Sequence, residues 1–197
     1  MILAIDIGNT NIVIGCCADG QVIFRERVST NPTATVLEYA AMLKMAFDMN
    51  RADITAVDGA ILSSVVPAVT LTMRDAVHKY LHHTPLVVGP GIKTGLRIHI
   101  DNPAQLGSDL VVDAVAGIHH YPLPQIIIDM GTATTVSVLD AEGGYRGGMI
   151  LPGIGVSMNS LTSRTAQLPR ISLDPPKRLI GKNTVECMQS GALYGNA

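Results

Sequence analysis

Three short apolar runs open the chain. Residues 2–7, 12–17 and 21–28 are rich in β-branched and apolar side chains and are broken by Gly8-Asn9 and by Asp19-Gly20. Such runs separated by turn-forming pairs predict the strands of a β-meander. The period then changes. Over residues 35–49, Val36, Ala40, Leu43 and Phe47 fall on one stripe while Glu38, Lys44 and Asp48 fall elsewhere, which predicts an amphipathic helix. Residues 57–63 predict a buried strand. Pro67 stands where proline favours a helix start, ahead of an apolar stripe of Val69, Met73, Val77, Tyr80 and Leu81. A short strand at 86–88 leads into a Gly/Pro loop at 89–95, Asn102-Pro103 marks a turn, and a helix is expected over 104–119.

Pro122 and Pro124 punctuate a boundary, so a first lobe is expected over residues 1–121 and a second over 122–197. The second lobe opens by repeating the first. Aligning Asp6 with Asp129 sets an offset of 123 residues (129 − 6), at which Gly8 meets Gly131, Asn11 meets Thr134, Ala18 meets Ala141, Asp19 meets Glu142 and Gly20 meets Gly143. The repeated hairpin covers 125–149. Pro152-Gly153-Ile154-Gly155 then opens a helix expected to reach residue 167, and 168–182 reads as a proline-bearing loop. A last helix begins near Asn183 and is expected to run to, or be capped at, Gly195-Asn196-Ala197. The second lobe has far less structure after its hairpin than the first, so it is expected to be truncated at its C-terminus.

Two such hairpins facing each other across a cleft would clamp a polyphosphate, which points to a two-lobed nucleotide-dependent enzyme. Gly8 can take positive φ and lets backbone N–H groups approach an anion. Asn9, Thr10 and Asn11 add neutral donors. Asp6, at a strand end, suits Mg2+ held through water, because that ion keeps much of its hydration. The same logic applies to Asp129-Met130-Gly131-Thr132. Asp109, in Gly107-Ser108-Asp109-Leu110, is either a first-turn charge favoured by the helix dipole or a general base for an attacking hydroxyl. Thr184 is either part of a helix cap or a substrate contact. His78, His82 and His83, like His119-His120, sit at helix C-termini and carry no third kind of ligand nearby, so no metal site is expected there.

Composition narrows the class. Hydrophobic residues make up 47% of 197 and charged residues 15%, with a mean hydropathy of +0.32, enough for a substantial core and against disorder. No apolar run approaches the ~18 residues of a membrane helix, and Asp6 interrupts the N-terminal apolar stretch, so neither a membrane span nor a secretory signal is expected. A net charge of −2 leaves no basic footprint for nucleic acid. Cys16, Cys17 and Cys187 form neither a metal spacing nor a disulfide framework, which suits reduced thiols in a cytoplasmic protein.

Five motifs stand in order: Asp6-x-Gly8-Asn9-Thr10, Asn102-Pro103-x-x-x-Gly107-x-Asp109, Asp129-x-Gly131-Thr132-Ala133-Thr134, Pro152-Gly153 and Gly181-Lys182-Asn183-Thr184. In this order they resemble the type III pantothenate kinases over essentially the whole chain. The resemblance implies an α/β fold of duplicated ribonuclease-H-like (actin-like ATPase) lobes, with mixed sheets flanked by helices. It implies ATP-dependent phosphorylation of pantothenate, the first step of coenzyme A biosynthesis, with ATP as co-substrate, Mg2+, and a monovalent cation (K+ or NH4+). By the resemblance, Asp6, Ile7, Gly8, Asn9, Thr10, Asn11, Ile12 and Val13 form the first phosphate loop, and Thr132 also contacts ATP. Asp109 is the proton acceptor. Ile100, Gly107, Ser108, Asp109 and Leu110 line the pantothenate site, Thr184 reaches pantothenate across a homodimer interface, and Asp129 helps hold the monovalent cation.

Three departures accompany the resemblance. Leu110 stands where the family has an Arg for the pantothenate carboxylate, and an isobutyl group cannot replace a guanidinium fork. Either another cation (Arg97 and Arg164 are candidates) takes that role, or the substrate differs, or affinity is poor. Ile100 stands where the family often has an aromatic. The family also continues into a glycine-rich adenosine-binding segment that this sequence does not contain. The alternatives to the pantothenate reading are a kinase of the same superfamily acting on another small hydroxyl compound and a non-catalytic regulatory relative.

Overall fold

The first three apolar runs form a meander in the computed structural model, which describes residues 1–195. Strands β1 (Ile2–Ile7), β2 (Asn11–Ala18) and β3 (Gln21–Ser29) pair antiparallel in sequence order. Helix α1 (Val36–Asn50) starts at a capping box, in which the Thr35 side chain accepts from the Glu38 N–H and the Glu38 carboxylate accepts from the Thr35 N–H. Strand β4 (Gly59–Ser64) pairs parallel with β1, helix α2 (Pro67–Leu81) begins at its proline, and β5 (Leu86–Val87) pairs parallel with β4. The sheet order β3-β2-β1-β4-β5, three antiparallel strands followed by parallel ones, is ribonuclease-H-like, as expected.

The core of this unit lies on one face of that sheet. Leu3, Ile5 and Ile7 of β1 and Ile12, Ile14 and Cys16 of β2 pack under Leu43 and Phe47 of α1 and Val69, Met73 and Val77 of α2. Phe47 meets Phe24 edge to face, with ring centroids 5.3 Å apart. Burying each of the larger aliphatic side chains contributes about 1.5–3 kcal/mol. Contacts divide the chain into one unit of Met1–His120 and a second that begins at Tyr121.

Three expected boundaries moved. Residues Ile54–Ala56 form a 3-10 turn capped by Asp53, so the strand expected from 57 starts at Gly59. Pro103–Gln105 forms another 3-10 turn and Leu106 returns to extended backbone, so the helix expected from 104 begins at Ser108 as α3 (Ser108–His120). Helix α4 (Ile154–Arg164) stops before 167 because Thr165 is extended. A two-residue strand, β6 (Arg97–Ile98), was too short to leave a periodic signal. Helix α5 (Thr184–Gly195) comes after the proline-bearing loop, and its expected continuation into Asn196-Ala197 lies outside the described residues.

The second unit repeats the meander as β7 (Gln125–Met130), β8 (Ala133–Leu139) and β9 (Gly144–Pro152). The pairing registers show how close the repeat is. Ile2↔Cys17 corresponds to Gln125↔Leu139, Ile12↔Val28 to Thr134↔Leu151, and Asn11↔Ser29 to Ala133↔Pro152. Even the β-bulge recurs: the register slips between Cys16 and Cys17, and again between Val138 and Leu139. These pairs place β1 and β7 at an offset of 123, β3 and β9 at 123, but β2 and β8 at 122 (133 − 11). The second hairpin is one residue shorter in its first turn and one longer in its second. The fixed-offset alignment is therefore corrected within the middle strand: Asn11 corresponds to Ala133 rather than Thr134, and Ala18 to Asp140 rather than Ala141. Two compensating turn lengths hid this from the linear sequence.

Candidate active site

The first turn is built by the strands that flank it. Ile7 and Ile12 are in the core, so they anchor the turn, and only their backbones can face a ligand. Between them the Gly8 N–H donates to the Asn11 carbonyl at 2.9 Å. Gly8 does not use the left-handed region. Its requirement is space, because an added Cβ would lie 3.2 Å from the Asn11 oxygen. Asn9 and Thr10 are exposed at the tip. Thr30, just past β3, locks the turn from behind: its N–H donates to the Thr10 carbonyl at 2.9 Å and its hydroxyl to the Gly8 carbonyl at 2.7 Å. Asp6 is exposed at the end of β1, and it lines a cavity of about 320 Å³ on the sheet's second face together with Val13, Cys17, Ser63 and Val112.

The second turn repeats the backbone half of this lock. The Gly153 N–H donates to the Thr132 carbonyl at 3.0 Å, which makes Thr132 the counterpart of Thr10. A Cβ on Gly153 would overlap the carbonyls of Gly131 and Thr132, so Pro152-Gly153 is a close-approach motif that seats the start of α4 under this turn. The Gly131 N–H donates to the Ala133 carbonyl at 3.0 Å. Asp129 and Thr132 are exposed on this hairpin, with the Asp129 carboxylate beside Gly131, where a Cβ would stand 3.7 Å from Oδ2.

Asp109 sits in the first turn of α3, where the helix dipole favours a carboxylate. Its Oδ1 accepts from the Leu110 N–H at 2.8 Å, and that oxygen rests where a Cβ on Gly107 would be. Gly107 thus leaves room for the carboxylate, and its carbonyl accepts from the Val111 N–H to start the helix. Leu110 and Ile100 are half-buried. Ser108 is buried and turned toward β4, so its hydroxyl is already engaged. Beside this helix start, the Gly/Pro loop, Ile98, Pro103 and Leu106 enclose a largely apolar cavity of about 240 Å³.

Within the first unit the structure brings Asp6 and Val13 to one cavity wall, while Gly107, Ser108, Asp109 and Leu110 share the start of α3. Thr184 is exposed at the start of α5, where Asn183, not Thr184, supplies the cap by accepting from the Glu186 N–H at 2.9 Å. Gly181 lies against that helix start, with a built Cβ 2.5 Å from the Cys187 nitrogen. Arg97 lies in β6 and Arg164 ends α4, both exposed. Among the described residues no three His, Cys, Asp or Glu side chains converge as a metal cage. No helix among them is long and apolar enough to cross a membrane. Thr30 and the serines of β4 were missed at the level of sequence. A threonine after a strand and a Ser-Ser pair are ordinary in composition, and their hydrogen bonds span 22 to 45 residues.

A model of the family described as type III pantothenate kinase matches residues 2–197. The chain belongs to the type III pantothenate kinase family. It is 48% identical over 195 residues to a type III pantothenate kinase from an Exiguobacterium species and 45% identical to one from Moorella thermoacetica, covering 99% of this chain and 77% of each relative. Among solved structures, a Baf family protein from Campylobacter jejuni superposes with a TM-score of 0.58 at 17% identity, over 98% of this chain and 75% of that one, which supports the shared fold. The family places the chain among ATP-dependent kinases of coenzyme A biosynthesis.

Proposed function

We propose that the chain transfers the γ-phosphoryl group of ATP to the primary hydroxyl of pantothenate, giving 4′-phosphopantothenate and ADP. The observation that carries this reading at the site is Asp109, whose carboxylate is held at the helix start against a glycine. In the proposed step, Asp109 accepts the hydroxyl proton, the hydroxyl oxygen bonds to the γ-phosphorus, and the bond to the β–γ bridging oxygen breaks to release ADP. Phosphoryl transfer asks little covalent chemistry of a protein, so positioning and charge neutralisation carry most of the work.

The remaining roles belong to the same reading. Each lobe, 1–121 and 122–197, supplies one phosphate-binding turn, through the backbone of 7–13 and through Thr132. Asp6 would hold Mg2+ through water, as suits an ion that keeps much of its hydration. Mg2+ would supply charge neutralisation on the phosphates. Asp129 helps hold K+ or NH4+. The apolar cavity beside α3, lined at the helix start by Leu106, Ser108 and Val111, receives the aliphatic part of the substrate, and Ile100, Gly107 and Leu110 complete the pantothenate site. Thr184 contacts pantothenate in a homodimer, and the enzyme works in the cytoplasm. A second reading, phosphorylation of a small hydroxyl compound without a carboxylate, is favoured by Leu110 alone, since that side chain offers no donor to an anion.

The test is pantothenate-dependent ADP release with Mg2+ and K+, compared with Asp109→Asn. Loss of a general base costs on the order of 10²–10⁴ in rate, and a drop of that size in the variant is expected. Turnover of uncharged hydroxyl compounds with none of pantothenate would replace the leading reading by the second.

A further inference from the structure

The start of α3 is fastened to the end of β4 by a group of hydroxyls. Ser108 Oγ donates to the Ser64 carbonyl at 2.9 Å, accepts from the Ser64 N–H at 3.0 Å, and lies 3.2 Å from Ser63 Oγ, which donates to it. Ser64 Oγ in turn accepts from the Thr70 hydroxyl at 2.8 Å and from the Val66 N–H at 3.1 Å, tying the same point to the start of α2. Ser63 and Ser108 are both buried. Strand β4 pairs parallel with β1 so that Ser63 stands beside Asp6 and Ser64 beside Ile7. Parallel partners share a face, and Asp6 and Ser63 line the same cavity. The residue directly before Asp109 is thus bonded to the strand next to the one that carries Asp6.

We infer that Ser108 is a positioning residue, whose hydroxyl bridge to Ser63 and Ser64 holds Asp109 in place relative to Asp6. This role adds to the expected place of Ser108 at the substrate site, whose cavity it also lines, and it rests on the reading of Asp109 as the proton acceptor. The chemistry favours a hydroxyl here. A serine both donates and accepts, so it satisfies the N–H and the C=O of the strand end at once. Alanine would leave both of those backbone groups without this partner, at a site where water is largely excluded. Misplacing a reacting group by a fraction of an ångström lowers the rate without weakening ground-state binding, whereas losing a substrate contact weakens binding.

The experiment compares Ser108→Ala, Ser108→Thr, Ser63→Ala, the Ser63→Ala/Ser108→Ala double variant and Asp109→Asn, reading kcat, KM for pantothenate and ATP, and amide exchange at Ser64 and Leu110. The expected result for Ser108→Ala is a kcat lower by about tenfold to a hundredfold with both KM values within about twofold. Exchange at Ser64 and Leu110 should be faster, and the hydroxyl-bearing Ser108→Thr should recover much of the rate. Ser63→Ala leaves α3 untouched and should give a smaller loss of the same kind, with the double variant no worse than Ser108→Ala alone. A pantothenate KM that rises while kcat holds would overturn the inference and leave Ser108 a substrate contact alone. Unchanged kcat in Ser108→Ala beside an inactive Asp109→Asn would overturn the bridge alone. Wild-type turnover in Asp109→Asn would instead overturn the reading of Asp109.

Discussion

Ile5 and Ile128 occupy the same position in two copies of one hairpin, yet Ile5 is 2% exposed and Ile128 61%. The contrast continues along the outer strands of that face, while Thr134 in the middle strand stays buried like its counterpart Ile12. Leu3, Ile7 and Ile14 are fully buried, while Ile126, Met130, Met149 and Leu151, on the corresponding face of the second meander, are exposed. The second hairpin buries its other side instead, through Ser137, Leu139 and Tyr145. Apolar residues make up more than half of the strands in both copies. The two copies differ in the elements beyond the third strand: α1 and α2 close over the first face, whereas the apolar side chains of α4 and α5 gather in a small cluster around Met158, Met188 and Ala192. Among the described residues, α1 and α2 cover this face in the first copy, and α4 and α5 do not cover it in the second.

The largest effect should come from truncating the paired isoleucines. Ile5→Ala is expected to cost about 2–5 kcal/mol, the usual range for a buried aliphatic side chain, and Ile128→Ala less than about 1 kcal/mol, as for surface changes. Urea unfolding measures both, and equal losses would break the comparison. Next come the glycines of one cross-strand site, which sit on opposite strands in the two copies: Gly15 faces Arg25, and Gly148 faces Ser137. A Cβ on Gly148 would overlap the Val136 carbonyl, while one on Gly15 would make an ordinary 3.4 Å contact with the Phe24 carbonyl. Gly148→Ala should cost about 1–3 kcal/mol by crowding, and Gly15→Ala clearly less.

The smallest effect concerns acid. Asp140 in the second hairpin accepts from the Gly144 and Glu142 N–H groups and from Arg146, and these bonds, the Gly144 one foremost, hold its carboxyl below the usual aspartate range. Its counterpart in the first hairpin is Ala18, which does not titrate. A lowered folded value means that the ionised form stabilises the fold above the unfolded aspartate value, and that this contribution fades as pH falls through the lower folded value. Asp140→Asn should therefore lower the thermal midpoint at pH 7, and the gap to wild type should close below about pH 4. A gap that stays constant into acid would remove the carboxylate from the account of this turn.

Much of the site could be read from the chain because its parts are local. Gly8, Gly131, Gly107 and Gly153 each stand within a few residues of the turn or helix start they permit, and such needs write themselves into short motifs. The stripes of α1 and α2 were equally legible, since helical spacing repeats every few residues. The bridge from Ser108 to Ser63 and Ser64 was not, because those residues meet only after β4 and α3 have packed.

The sequence by itself determined the two meanders, their Asp-x-Gly turns, the capped and striped helices and the family to which the motifs belong. Each of those comes from side-chain period, turn stereochemistry or the order of short motifs, all of which act within a few residues. Tertiary structure alone decided the one-residue exchange between the turns of the second hairpin, the face each sheet buries, and the hydroxyl bridge that holds Asp109. Those depend on pairing register and on which distant segment covers a surface, and hydrophobic burial does not distinguish two apolar faces until a neighbour excludes water from one of them.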